Sequence, residues 1–144
     1  MNKSVKIFFI ILAMTFVITI YMEEYKEVRV TEVIDGDTFK VGYNSIRLIG
    51  INAPETNELC YEEAKEMLEY LIRYENVRLE KDTKDKDDYG RLLRYVYVDE
   101  IFVNAEMVRL GMARFDEVIP NTKYSELFLE MENKAKNAGR CIWE

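Results

Sequence analysis

Hydrophobic positions change their period several times along this chain, and each change marks an element. Residues 7–22 run IFFIILAMTFVITIYM without a charge. From Glu27 the pattern alternates: Val28, Val30 and Val33 lead to Asp35-Gly36, a hairpin signal, and Phe39 and Val41 alternate after it. Asn44-Ser45 marks another turn, Arg47 to Ile51 reads as a third strand, and Pro54 ends it. Cys60, Ala64, Met67, Leu68, Leu71 and Ile72 then recur at helical spacing, so one face of that segment belongs to a core. Val77 and Leu79 form a fourth alternating strand. The charged loop KDTKDKDDYG separates it from a fifth, with Leu93, Tyr95 and Tyr97 on one face. Asn104 is expected to cap a short helix carrying Met107, Val108 and Leu110 and stopped by Gly111. Tyr124, Leu127, Phe128, Met131 and Ala135 mark a last helix, with Gly139 as its stop.

Three strands, a helix, two strands and two helices is the order of an OB-fold. The expected class is therefore α+β: a five-stranded OB-fold barrel with three α-helices, preceded by an N-terminal apolar helix. No internal repeat or low-complexity linker divides the chain. Residues 1–22 are expected to be a signal peptide or signal anchor, and residues 23–144 a single domain. Lys3 and Lys6 precede the apolar run and Glu23 and Glu24 follow it, the flanks of an export segment with its N-terminus inside. No small-residue pair precedes Glu23, which favours an anchor. The run is shorter than a comfortable span of about 20 residues, which favours cleavage. The protein is thus expected to be membrane-anchored facing outside, through residues 7–22 if they are uncleaved, or else secreted, and to be a monomer. Cys60 and Cys141 either pair, closing a long loop, or remain two buried thiols. Their spacing decides neither.

Charge narrows the chemistry. The formal charge is −7, and subtracting Lys3 and Lys6 leaves −9 on the remainder. Such a body does not adhere generally to polyphosphate, so any nucleic-acid function has to use a metal ion or a local arginine cluster. The chain has no histidine. Ser-His-Asp and Cys-His mechanisms lose their base, and the usual zinc sites lose a ligand. Carboxylates, arginines, lysines and tyrosines remain, and carboxylate oxygens select hard ions such as Ca²⁺, Mg²⁺ or Mn²⁺. The acidic loop is not an EF-hand, because twelve residues counted from Asp85 end at Val96 instead of glutamate.

Three clusters carry candidate chemistry: Asp35-Gly36-Asp37-Thr38 at the first hairpin, RLIGINAPET from Arg47 to Thr56, and Asp88-Tyr89-Gly90-Arg91 before the fifth strand. Singly, each reads as a turn or a solvated charge. In this order and spacing, together with VNAEMVRLGMA and the terminal IW, the sequence from about Val28 to Trp143 resembles the staphylococcal nuclease-like (thermonuclease) family. The resemblance implies an OB-fold barrel, one Ca²⁺ ion, and hydrolysis of DNA and RNA phosphodiesters to 3′-phosphates. It assigns Asp37 as a calcium ligand, Arg47 and Arg91 as phosphate-gripping catalytic arginines, and Glu55 as the general base. Tyr89 matches a substrate-binding tyrosine. Asn52 stands where a second calcium-ligating aspartate is frequent, and Ala53 where a residue gives its backbone carbonyl to the metal.

Planar guanidinium forks and a divalent cation stabilise the charge that builds on equatorial phosphate oxygens. Asn52 keeps a hard oxygen but removes one negative charge, so a weaker calcium site is expected. Asp88 and the segment Asp116-Glu117-Val118 lack a lysine and the base-stacking tyrosines of the best-known member. A non-catalytic nucleic-acid or protein binding module is the alternative expectation. Such modules usually lose several site groups at once, whereas here Asn52 is the substitution that touches the site.

Overall fold

A computed structural model describes residues 2–24 and 27–144, with no account of the side chains of residues 20–24. The predicted apolar segment lies in helix α1, Lys3–Glu24. Its apolar side chains from Val5 to Ile18 are exposed, and Thr15 and Thr19 turn their hydroxyls back to the helix carbonyls of Leu12 and Thr15 (2.9 and 2.8 Å). The side chains of Ile20 to Glu24, the acidic exit among them, fall outside what the structure describes. Among the described residues, no helix is long and apolar enough to cross a membrane.

The remaining elements are β1 (Glu27–Arg29), β2 (Glu32–Val33), β3 (Thr38–Val41), β4 (Asn44–Leu48), β5 (Ile51–Asn52), α2 (Tyr61–Ile72), β6 (Asn76–Glu80) and β7 (Leu92–Val98). After them come β8 (Ile101–Phe102), α3 (Val103–Arg109), β9 (Arg114–Phe115), α4 (Ser125–Asn137) and a 3-10 turn, Cys141–Trp143. Seven strands share one sheet in the order β1-β6-β7-β4-β3-β2, with β8 on β7, and β5 pairs β9 separately.

The closed five-stranded barrel expected from the pattern needs correction. The predicted first strand divides at Val30-Thr31: β1 pairs β6 while β2 pairs β3, and no ladder joins β1 to β2. The predicted third strand divides as well, because Gly50 adopts φ +77, a left-handed conformation that ends β4 and starts β5 in a new direction. Period-2 alternation survives such a kink, so the pattern alone reads two segments as one.

Two clusters form the core. Phe39, Ile46 and Leu48 from the sheet meet Ala64, Leu68 and Ile72 of α2 and Met107 and Val108 of α3. Ala64, Leu68 and Ile72 sit at i, i+4 spacing, the stripe expected of a half-buried helix. A second, aromatic cluster under α4 gathers Tyr95 and Phe128, with Phe102 and Tyr124 packed against it. Strand β7 separates the two clusters, which is why Leu93, Tyr95 and Tyr97 on one face and Val96 and Val98 on the other all find apolar neighbours.

Asn104 is not a helix cap. It lies inside α3, fully buried, where Oδ1 accepts from Val96 N–H (2.9 Å) and Nδ2 donates to the carbonyls of Ile49 (2.9 Å) and Arg94 (3.3 Å). It ties α3 to β7 and to the turn between β4 and β5. Cys60 and Cys141 form a disulfide with a Cα–Cα distance of 6.0 Å, joining the start of α2 to the chain end.

Candidate active site

The candidate residues converge at one end of three neighbouring strands. Strands β3 and β4 are antiparallel with Thr38 opposite Arg47, and β4 runs parallel to β7 with Ile46 opposite Leu92. Asp37 therefore enters β3, Arg47 sits on β4, and Arg91 enters β7 at the same sheet end. The hairpin glycine helps through closeness. A Cβ on Gly36 would lie 2.7 Å from the Ala53 Cβ and 2.8 Å from the Ala64 Cβ, so its absence lets the Asp37 turn pack against both.

Asp37 is 5 % exposed. Its Oδ2 accepts the Ala53 N–H at 2.8 Å, and its Oδ1 accepts from Thr38 Oγ1 at 2.9 Å and faces Arg47 Nε at 3.1 Å. Burial pushes its carboxyl up to about 6; Arg47 opposes that rise and Asp35 adds to it. Arg47 is held on every side. Besides Asp37, its Nη1 donates to the carbonyls of Leu48 (2.9 Å) and Ile51 (2.7 Å), and its Nη2 donates to Asn52 Oδ1 (2.9 Å). A guanidinium has five N–H donors. Nε, both on Nη1 and one on Nη2 are engaged, so one on Nη2 remains for an incoming ligand.

Arg91 is arranged differently. Its Nε is bound by Asp87 Oδ2 at 2.6 Å, while Nη1 reaches Thr38 Oγ1 only at 3.5 Å. Its outer fork is largely free for bidentate work. Asp87 also takes the backbone N–H groups of Tyr89 (3.0 Å) and Arg91 (2.9 Å) on Oδ1. Burial works against the charge on Asp87, but the Arg91 side-chain bond and the backbone bonds outweigh it and hold the carboxyl below its ordinary range. Tyr89 is exposed, with the Arg91 guanidinium 5.5 Å from its ring centre.

Glu55 lies on the exposed turn just after Ala53. Its backbone N–H donates to Glu58 Oε2 (2.7 Å), and its carbonyl accepts the Glu58 N–H (2.9 Å). This brings Asp37, Arg47, Asn52, Ala53 and Arg91 into one contact network, with Tyr89 against Arg91 and Glu55 two residues beyond Ala53. Ala53 meets Asp37 through its N–H; its carbonyl is not part of that contact.

The reading of clusters included Thr38 without giving it a role, and missed Asp87, Glu58 and Asn121. Asn121 is buried and clamps Lys84, accepting its N–H (2.7 Å) and donating to its carbonyl (2.8 Å), which anchors the loop leading to Arg91. For Asp87 a signal was present: an aspartate two residues before an exposed loop tyrosine is an Asx-turn former. Two other acids of that loop are structurally occupied, Asp82 by Tyr95 Oη (2.7 Å) and Asp85 by Arg94 (2.9 Å), while the exposed Asp88 pairs with Lys84 (3.2 Å).

Among the described residues, no three His, Cys, Asp or Glu side chains gather as a metal centre. The oxygen set around Asp37 suits a hard divalent ion in kind: a buried carboxylate whose charge burial opposes, beside an amide oxygen. Its negative charge is low, and Arg47 shares both oxygens.

The site has a defining arrangement: two arginines and a buried carboxylate at one end of adjacent strands in a small β-sheet. The model of the staphylococcal nuclease homologues matches residues 45–144, and the chain belongs to that family and shares its OB-fold. It is 38 % identical over 133 residues to the SPbeta prophage-derived endonuclease YokF of Bacillus subtilis (84 % of this chain, 45 % of that protein). It is 34 % identical over 131 residues to a thermonuclease of Staphylococcus hyicus (84 % and 76 %). It is also 39 % identical over 122 residues to endonuclease YncB of Bacillus subtilis (76 % and 58 %). The chain thus spans about half the length of the two Bacillus relatives.

Proposed function

We propose that this protein is an endonuclease, a calcium-dependent hydrolase of phosphodiester bonds in DNA and RNA that leaves 3′-phosphate products. The observation that carries it is the convergence of Asp37, Arg47, Asn52 and Arg91 on one sheet end. Family membership supports the hydrolase class, and the intact set of two arginines, Asp37 and Glu55 supports catalysis over a binding module.

Asp37, Asn52 and the Ala53 carbonyl would hold one Ca²⁺ ion, which when bound supplies charge neutralisation at the phosphate. Arg91 presents a free planar fork to two phosphate oxygens, which suits the charge that grows there on attack by water. Arg47 offers its one remaining Nη2 donor, and its other bonds fix the positions of Asp37 and Asn52. Glu55, solvent-exposed beside Ala53, orients the attacking water and takes its proton. Tyr89, whose ring centre lies 5.5 Å from the Arg91 guanidinium, contributes a hydroxyl to the substrate.

Helix α1, apolar on all its described faces between the lysines and Thr19, suits an export segment: an anchor with the domain outside, or a leader removed on secretion. The hydroxyls of Thr15 and Thr19, donated to the carbonyls of Leu12 and Thr15 one turn earlier, are satisfied without water, as a lipid contact requires.

The test uses the full chain in mild detergent with single-stranded DNA, titrated with Ca²⁺ and then EGTA, beside a Glu55→Gln variant. Cleavage that needs Ca²⁺ and disappears in the variant is the expected result. Tight binding with no turnover at any metal concentration would instead favour a non-catalytic module.

A further inference from the structure

Beside the metal-side residues, on the side that faces the chain end, lies a cavity of about 400 Å³ lined by Asn52, Ala53, Pro54, Leu59, Arg114 and Ile142, with Glu58 at its wall. We propose that this cavity is a second nucleotide subsite, in which Arg114 binds the phosphate adjoining the scissile one. The inference rests on the phosphodiesterase reading and adds a place for the polymer to continue.

Location is the first argument. Asn52 and Ala53 belong to both the Asp37 network and the cavity, so a chain lying across Asp37 has this cavity as its next stop. Strand β9 sets Arg114 directly opposite Asn52 in the β5–β9 pair. The volume falls within the range of roughly 300–1,000 Å³ typical of small-ligand sites.

The second argument is chemical. Arg47, Arg91, Arg94 and Arg109 are each paired with a carboxylate. Arg114 is exposed and has no such pair among the described residues; its guanidinium lies 4.7 Å from the Trp143 ring centre. A guanidinium placed over an aromatic face keeps its edge donors free while the ring fixes its plane. Lys136 Nζ, 4.5 Å from the same ring, adds positive charge, though it is itself bound to Glu132. The one acid of the cavity wall, Glu58, has an oxygen committed to the Glu55 N–H. On a body carrying −9, an arginine without a carboxylate partner next to the site is the group available to a phosphate.

The third argument is construction. The Cys60–Cys141 disulfide ties the loop side of the cavity to the chain-end side, and the Ile142 N–H bonds the Gly111 carbonyl (3.3 Å). The site is held open as a shape before any ligand arrives, which lowers the ordering cost of binding.

The experiment compares two substrates with the full chain in Ca²⁺: a mononucleotide aryl phosphodiester, too short to reach the cavity, and a single-stranded oligothymidylate of a dozen residues. Arg114→Ala should lower kcat/KM on the oligonucleotide about tenfold more than on the short ester, through KM, with Arg114→Lys recovering part of it. The slope of log KM against log salt for the oligonucleotide should fall by about 0.7, the value for one lost contact to a single strand. An unchanged thermal midpoint in the lysine variant shows that the fold is kept. Equal losses on both substrates, or no loss on the oligonucleotide, overturn the subsite while leaving the hydrolase reading intact. No metal-dependent turnover of either substrate by the unaltered chain removes both.

Discussion

Asp87 is the strongest lever on the site that touches no substrate in the proposed mechanism. It accepts three N–H groups, two from the backbone of its own turn and one from Arg91 Nε at 2.6 Å. Asp87→Ala removes all three acceptors and frees the Arg91 side chain to swing. A hydrogen bond between charged groups contributes about 1.5–3 kcal/mol, and each 1.4 kcal/mol or so of lost transition-state stabilisation is a factor of ten. The pair is partly solvated, with side-chain exposures of 31 % for Arg91 and 17 % for Asp87, so the lower half of that range applies. The expected loss is about tenfold to fiftyfold in kcat, with KM changing less. Asp87→Asn should fall between, because its amide oxygen can still take the two backbone N–H groups. Steady-state kinetics on an oligonucleotide read this directly, and a double-mutant cycle with Arg91→Ala separates positioning from general damage. If Asp87 works through Arg91, the double variant is no slower than Arg91→Ala alone. A loss under threefold in Asp87→Ala, or independent losses that multiply in the double variant, would refute the reasoning.

Other outcomes follow from the same geometry. Arg47→Lys should cost at least as much activity as Arg91→Lys, because an ammonium cannot span Asp37, Asn52 and two carbonyls at once; full activity in both lysine variants would contradict these roles. Asn52→Asp restores a negative charge to the oxygen set and should tighten calcium about tenfold by isothermal titration, a change that an irrelevant Asn52 would not give. Asn104→Ala strands the buried Val96 N–H and should destabilise the domain by about 3 kcal/mol, read by urea unfolding. A loss below 1 kcal/mol would mean that water replaces the amide.

The order of elements was legible because alternation and helical spacing are local, and the hairpin, α2, β6, β7 and α4 lie where those patterns place them. What the patterns hid are features set by tertiary contact. Gly36 reads as turn chemistry, yet its place is decided by Ala53 and Ala64 on other elements. Asn104 carries the signature of a cap, but three backbone groups on distant segments claim its amide. Strands β8 and β9 are two residues each, too short to show a period. The site arginines stood out only through the resemblance of the surrounding motifs to the nuclease family. Their division of labour was not legible, because it depends on which donors neighbouring carbonyls and carboxylates already occupy. The pairing of Cys60 with Cys141 likewise needs the three-dimensional path.

That cross-link spans a sequence separation of 81 and encloses α2, the sheet strands β6, β7 and β8, and then α3, β9 and α4. A protease that nicks any exposed loop in this interval, such as the charged stretch before Arg91, would produce two pieces that stay bound as one molecule. On a non-reducing gel the nicked protein would run as an undivided chain, and its cut would surface only after thiol treatment. A cut before Arg91 would in this way leave the piece carrying Arg91 tied to the piece carrying Asp37 and Arg47.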